Sequence, residues 1–386
     1  MNNSLYVFDE IRTYHDNEVN SAIRYLIDDP EFAVFIRYLF RGVDRNELIN
    51  SIKDISTIAE FQDKFVKAAM EAIIKRSIDE LSYSGVEQLE KDKVYLFLSN
   101  HRDIVLDSSL INYALYMHGF TTSQVAIGGN LLISPMITHM VKLNKSFIVK
   151  RNIPPRELYN NSKLLSSYIS HTLFETRESV WIAQREGRAK DGNDKTQYSL
   201  LKMLCINDDD KDLAGVFQRI NVFPVTVSYE LDPCDVLKAI ELYSIANKIP
   251  YVKTHQTDFQ SMITGMQGFK GRVEVGFSSL LTDDELKNID EHQPNNWLKK
   301  LAAIIDNRIF SSYRLWETNY IAYDLLSDKA MFHDKYTEQA KETFINYLRE
   351  KTDKLETIYP KEEINKIILN MYANPVKNKL LNNLPL

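Results

Sequence analysis

The sequence predicts an α/β fold: a largely parallel sheet flanked by helices, with helical extensions at both chain ends. Three observations lead there. Between residues 94 and 277, short runs rich in branched and aromatic residues alternate with stretches of helical periodicity. Before residue 88 and after residue 282, apolar residues fall three and four apart, as on one face of a helix. The composition, 44% hydrophobic and 26% charged over 386 residues, is ordinary for a globular chain and supplies a core for two or three structural units.

Residues 1–88 read as a helical region, with amphipathic patterns at 18–27, 31–40 and 58–81. The stretch SYSGVEQLEKDK breaks the periodicity with a glycine and a run of charges, and marks the first boundary. Residues 89–281 form the α/β domain, with strands expected at 94–99, 123–128, 146–150, 179–184, 222–228 and 272–277. Helical patterns lie between them at 108–118, 131–143, 155–175 and 198–205. This alternation implies parallel pairing, and in parallel sheets sites gather at the carboxyl ends of strands, in the loops leading to helices. Pro224 inside a strand pattern reads as an edge position or a bulge, with a structural role. GMQGFKG (265–271) reads as a turn, since its glycines have the wrong spacing for a phosphate loop and precede a strand. Residues 282–386 return to helical periodicity as a C-terminal cap, and no repeat or low-complexity tract interrupts the chain.

Charge and cysteine content narrow the function. Cys205 and Cys234 stand apart without a partner pattern, so neither a disulfide framework nor a metal site is expected, and the setting is a reducing, cytoplasmic one. Residues 1–9 lack a basic start followed by an apolar stretch, and the longest apolar runs, 131–141 and 222–227, fall short of the roughly 20 residues that span a bilayer. Membrane contact is therefore expected to be peripheral, through amphipathic faces of the N-terminal helices. Net charge is −6, yet residues 142–202 hold 12 Lys and Arg against 6 Asp and Glu, so the remainder carries −12. A basic island in an acidic chain points to a local anionic ligand and away from a nucleic-acid surface.

One stretch carries the chemistry. LSNHRDIVLDSSL (98–110) sets His101 just beyond a strand and ahead of a helical pattern. A histidine near neutral pH can take a proton from a hydroxyl when a carboxylate holds its other ring nitrogen in the right tautomer. Asp107 is six residues on, out of reach within one regular helix, so it can serve only if His101 lies in the turn before the helix. Asp103 is the rival, and is equally suited to capping the helix N-terminus. The other seven histidines read as surface residues. A nucleophilic serine would need a stretch such as Gly-x-Ser-x-Gly, which is absent, and Ser108 and Ser109, in a helical pattern, read as packing or solvent-facing residues.

Taken with three later blocks in order, SNHRDIVLD resembles the glycerolipid acyltransferase family. That family's first block spaces histidine and aspartate by four residues, where five stand here. GGNLLISPMITHMVKLNKSFIVKR (128–151) resembles the second block, which ends in the arginine that contacts the acceptor's phosphate, here Arg151. AQREGRAKDGNDKT (183–196) resembles the third, with Glu186, Gly187, Arg188 and Lys190 on the acceptor-binding positions, and VFPVTVSYE (222–230) resembles the fourth. The resemblance implies a glycerol-phosphate acyltransferase-like fold and O-acyl transfer in phospholipid synthesis. The donor would be acyl-CoA or acyl carrier protein, and the acceptor glycerol 3-phosphate or 1-acylglycerol 3-phosphate. His101 would be general base, oriented by Asp107 or its rival Asp103. Neither metal, cofactor nor covalent acyl-enzyme is implied, and the partners are the two substrates and a membrane surface, with no nucleic acid. Two alternatives stay open: a lipid-binding or scaffolding relative without turnover, and an acyltransferase for another lipid alcohol.

Overall fold

The computed structural model of the chain describes residues 6–208, 212–327, 330–355 and 357–386. Among the described residues seven strands form one sheet: β1 (Glu80–Ser84), β2 (Leu96–Ser99), β3 (Gln124–Gly128), β4 (Ser146–Val149), β5 (Val180–Ala183), β6 (Val222–Tyr229) and β7 (Arg272–Phe277). Their order is β1-β7-β6-β2-β5-β3-β4, and every pairing is parallel except β6 with β7. The fold is thus α/β, with a mostly parallel sheet between two layers of helices.

The central strands are apolar on both faces because both faces are covered. Leu96 and Leu98 of β2 enter one core with Ile169 and Leu173 of the helix Pro155–Phe174 and Leu301 and Ile305 of the helix Pro294–Ser312. Phe97, between them, points the other way and packs with Leu106, Leu110 and Ile111 of the helix Leu106–Met117. Period-two alternation along a four-residue strand thereby feeds two cores.

The first segment departs from expectation at its end. The helix anticipated through residue 81 stops at Ser77, and β1 follows, within the stretch read from sequence as helical. The cause lies in the turn before β7: Lys270 N donates to Ser77 O at 2.8 Å and Asp79 N to Gly271 O at 2.8 Å, drawing the chain into parallel register with β7. Pro224 also differs, since it lies inside β6, between β2 and β7, and not at a sheet edge. It is tolerated there because the β6–β7 ladder begins only at Val225 opposite Phe277, so the missing N–H falls at the ladder's end. Gly265 to Gln267, expected in a turn, close the helix His255–Gln267.

Four C-terminal helices, Pro294–Ser312, Glu317–Ser327, Glu338–Thr352 and Lys361–Leu381, pack against the end of β6 and the helix Asp235–Ala246. Among the described residues, no helix is long and apolar enough to cross a membrane.

Candidate active site

Four parallel strands end together. Ser99 of β2 lies level with Ala183 of β5, and Gly128 of β3 with Val149 of β4. The residues just past these ends are His101, the 184–188 loop, the turn at 129–131 and Arg151, so strand register alone gathers them on one edge of the sheet. They open on a cleft of about 1520 Å³ lined by His101, Arg151, Glu186, Gly187 and Arg188. The rest of its wall is mostly apolar, with large contributions from the helices Pro30–Leu39, Lys67–Ser77, Pro135–Leu143, Pro155–Phe174 and His255–Gln267. Two of the N-terminal helices, whose amphipathic faces the sequence offers to a membrane surface, thus line this cleft.

At the end of β2, Asn100 ties the strand to β6, its Nδ2 donating to Val227 O at 3.1 Å and its Oδ1 accepting from Val227 N at 2.8 Å. The chain then leaves regular structure, and the loose turn at 102–105 folds Asp107 back over His101 although six residues separate them. His101 Nδ1 lies 2.8 Å from Asp107 Oδ2. The same oxygen accepts the backbone N–H of Arg102 at 2.6 Å and of Asp103 at 2.9 Å. Tyr229 Oη donates to the other oxygen at 2.8 Å. Asp107 is buried at 1% exposure, and four donors converge on it. With Nδ1–H directed at this carboxylate, the lone pair of the ring sits on Nε2, and the ring borders the cleft. Trp181 meets the imidazole edge to face, its centroid 6.0 Å away.

Asp103 does something else. Its Oδ1 accepts the N–H groups of Val105 and Leu106, both at 2.8 Å, and so caps the turn entering the helix Leu106–Met117. Burial, with Asp107 nearby, raises its pKa. Of the two aspartates, Asp107 is the one hydrogen-bonded to the imidazole.

The cationic side of the cleft comes from two loops. Arg151 forms an ion pair with Glu186 and passes close to Gly128, where an added Cβ would lie 3.4 Å from Arg151 Nε. Gly187 has φ +71°, a left-handed conformation that puts a tight turn between Glu186 and Arg188. Arg188 Nη1 and Arg185 Nε are both buried without a hydrogen-bond partner among the described residues. Both residues line the cleft, while these two nitrogens are themselves covered. Sequence reasoning passed over Arg185; its signal was a second arginine three residues from Arg188 in a loop already marked as basic. Tyr229 had no local signal, lying 122 residues from Asp107.

Lys190 is not brought to the cleft. It ion-pairs with Glu241 of the helix Asp235–Ala246, and burial lowers its pKa. A positive charge beside Arg188 in sequence is therefore spent on an internal carboxylate.

No family model matches the chain, and no curated protein matches it. Among solved structures, the 1-acyl-sn-glycerophosphate acyltransferase PlsC of Thermotoga maritima is similar at a TM-score of 0.34 and 13% identity, over 75% of this chain and 94% of that one. The cell division protein FtsY of the same organism is similar at 0.23 and 8% identity, over 77% and 92%. Likenesses this distant carry no weight for function.

Proposed function

We propose that the protein is an O-acyltransferase that moves a fatty acyl group from an acyl thioester to the hydroxyl of glycerol 3-phosphate or 1-acylglycerol 3-phosphate. One observation carries the reading: an imidazole hydrogen-bonded to a buried carboxylate opens onto a large apolar cleft that also holds three guanidinium groups. An apolar groove suits the acyl chain, the guanidinium groups suit a phosphate, and the imidazole borders the same cleft.

In this reading His101 Nε2 takes the acceptor's hydroxyl proton as the oxygen attacks the thioester carbonyl. A C–O bond forms, the C–S bond breaks, and the proton passes from the imidazolium to the departing thiolate. Asp107 stabilises the charged ring and fixes its tautomer. The donor is acyl-CoA or acyl carrier protein. Because the acylated product, and the acceptor when it is 1-acylglycerol 3-phosphate, partition into lipid, the protein works against a membrane surface, which sedimentation with anionic liposomes tests.

The decisive experiment incubates purified protein with a radiolabelled long-chain acyl thioester and each phosphorylated acceptor, with product identified by mass spectrometry. Wild type should form ester and His101→Ala should not. Equal turnover by both rejects the mechanism; absence of turnover with tight lipid binding would instead mark a non-catalytic lipid-binding protein.

A further inference from the structure

We infer that Arg102 and Asp194 form a positioning clamp that fixes the separation between His101 and Arg188, and so selects acceptors by the distance from hydroxyl to anionic group. The inference builds on the acyl-transfer reading, which supplies the two ends of that distance.

The geometry is a double cross-link between the two loops that carry chemistry. Ala189 N donates to His101 O at 2.7 Å, joining the residue after the guanidinium to the base itself. One residue beyond the base, Arg102 grips Asp194 through Nε to Oδ1 at 2.9 Å and Nη2 to Oδ2 at 2.6 Å, and Nη2 also donates to Gly192 O at 3.1 Å. Both partners are buried, at 6% and 2% exposure. His101 and Arg188 are therefore each next in sequence to a cross-linked residue.

The clamp has a rigid backing. Tyr313 lies under the Arg102 guanidinium at 5.6 Å, and Lys238 Nζ donates to Arg102 O at 2.7 Å. Gly192, at φ +73°, runs so close to the helix Lys361–Leu381 that a Cβ would sit 2.1 Å from Met371 O. Asn374 of the same helix donates to Asp191 O at 2.6 Å. The C-terminal cap thereby holds the far side of the loop whose near side faces the cleft.

A buried ion pair is a poor device for stability, because desolvation offsets its attraction and apolar replacements often do as well. It is a good device for geometry, since a bidentate fork fixes both distance and angle. The clamp touches neither substrate, so its effect must appear in ligands that contact the base and the arginine together. An anion held only by arginine should not sense it.

That contrast is the test. Binding of inorganic phosphate and of glycerol 3-phosphate is measured by calorimetry for wild type, Asp194→Asn and Arg102→Lys, with melting curves alongside. Arg102→Lys keeps the charge opposite Asp194 while losing the fork, and gives the answer if Asp194→Asn does not fold. The expected result is about tenfold weaker glycerol 3-phosphate binding with inorganic phosphate unchanged, the scale of a sub-ångström misplacement. Turnover should show a matching loss of preference for glycerol 3-phosphate over 4-hydroxybutyl phosphate. Equal weakening for both ligands, no weakening for either, or no binding of either by wild type overturns the clamp. A wild type that binds both ligands but transfers no acyl group rejects the acyltransferase reading, while the binding ratio still decides the clamp.

Discussion

Tyr229 donates its hydroxyl to Oδ1 of Asp107 at 2.8 Å, so that Oδ2 remains for His101 at 2.8 Å. The carboxylate is held from both ends, and the ring inherits its orientation. Asp107→Asn would turn an acceptor into a mixed group able to present N–H to Nδ1, favouring the wrong tautomer. Turnover should fall by roughly 10²–10⁴-fold. Tyr229→Phe keeps the His101 contact and should lose about 1.5–3 kcal/mol of stability, the scale of a hydrogen bond to a charged group, with a milder loss of rate. Steady-state assays and urea melts on both variants check this, and an Asp107→Asn enzyme as fast as wild type would contradict it.

Filling the groove should shorten the acyl chain that fits. Ala69 lines the cleft on the helix Lys67–Ser77 and is partly exposed to it. Ala69→Trp places a large ring there and leaves His101 and the arginines unsubstituted. Each methylene denied burial forfeits about 0.8 kcal/mol, so kcat/KM for long-chain donors should drop by tenfold or more relative to short ones. Acceptor KM should hold steady. A donor series from eight to eighteen carbons reads the shift.

Gly265 marks a tight contact between the cleft wall and the turn that carries His101. A Cβ at this position would lie 2.0 Å from Asp103 Oδ2, and Asp103 cannot swing away without releasing its cap on Val105 and Leu106. Gly265→Ala should cost about 1–3 kcal/mol, as overpacking of an ordered site does. Gly215→Ala sets a similar clash, 2.2 Å from Oδ2 of the exposed Asp212, on a helix outside the cleft lining, and should cost less in thermal melts because that carboxylate can move into solvent.

Asp306 makes stability depend on pH in an unusual direction. Burial pushes its pKa from 3.8 up to about 6, although its Oδ1 accepts Thr196 N at 2.7 Å. Between those values the folded chain binds the proton and the unfolded chain does not, so this group's contribution falls as pH rises through the window and stays low above pH 6. The difference is about 3 kcal/mol for a shift of that size. Asp306→Asn keeps an oxygen for Thr196, and should flatten the dependence between pH 4 and 6 and raise stability at pH 8 by about 1–3 kcal/mol. Urea midpoints at pH 5 and 8 would show it.

What the sequence made legible was periodic or local. The six expected strands are present because each is a run of branched and aromatic residues bounded by turns, whereas β1, with the half-polar sequence ELSYS, straddles the last two residues of a helical pattern and the start of the break that follows it. The cap at Asp103 and the pairing of Asp107 with His101 could be posed as alternatives from spacing, but only the path of the 102–105 turn separates them. Arg102 and Asp194 stand 92 residues apart, and nothing local marks them as partners. Lys190 shows the converse: positive charge is visible in sequence, while the carboxylate that neutralises it, Glu241, is supplied by the fold.

Glu186 offers the sharpest division between two roles for one carboxylate. Resemblance to the acyltransferases puts it beside the acceptor, where removing it should raise acceptor KM. The structure instead pairs it with Arg151, and its side chain is 71% exposed. An exposed pair of this kind is worth about 0.2–1 kcal/mol, and salt weakens it further. A phosphate bearing close to two charges would compete for the same guanidinium and displace Glu186. Glu186→Gln removes the competitor, so acceptor KM should fall by about 1.4- to 5-fold at low ionic strength, converge on wild type as salt rises, and leave kcat and the melting temperature in place. A KM that rises at every salt concentration would mean that the carboxylate holds the acceptor and overturn its role as a competitor for Arg151.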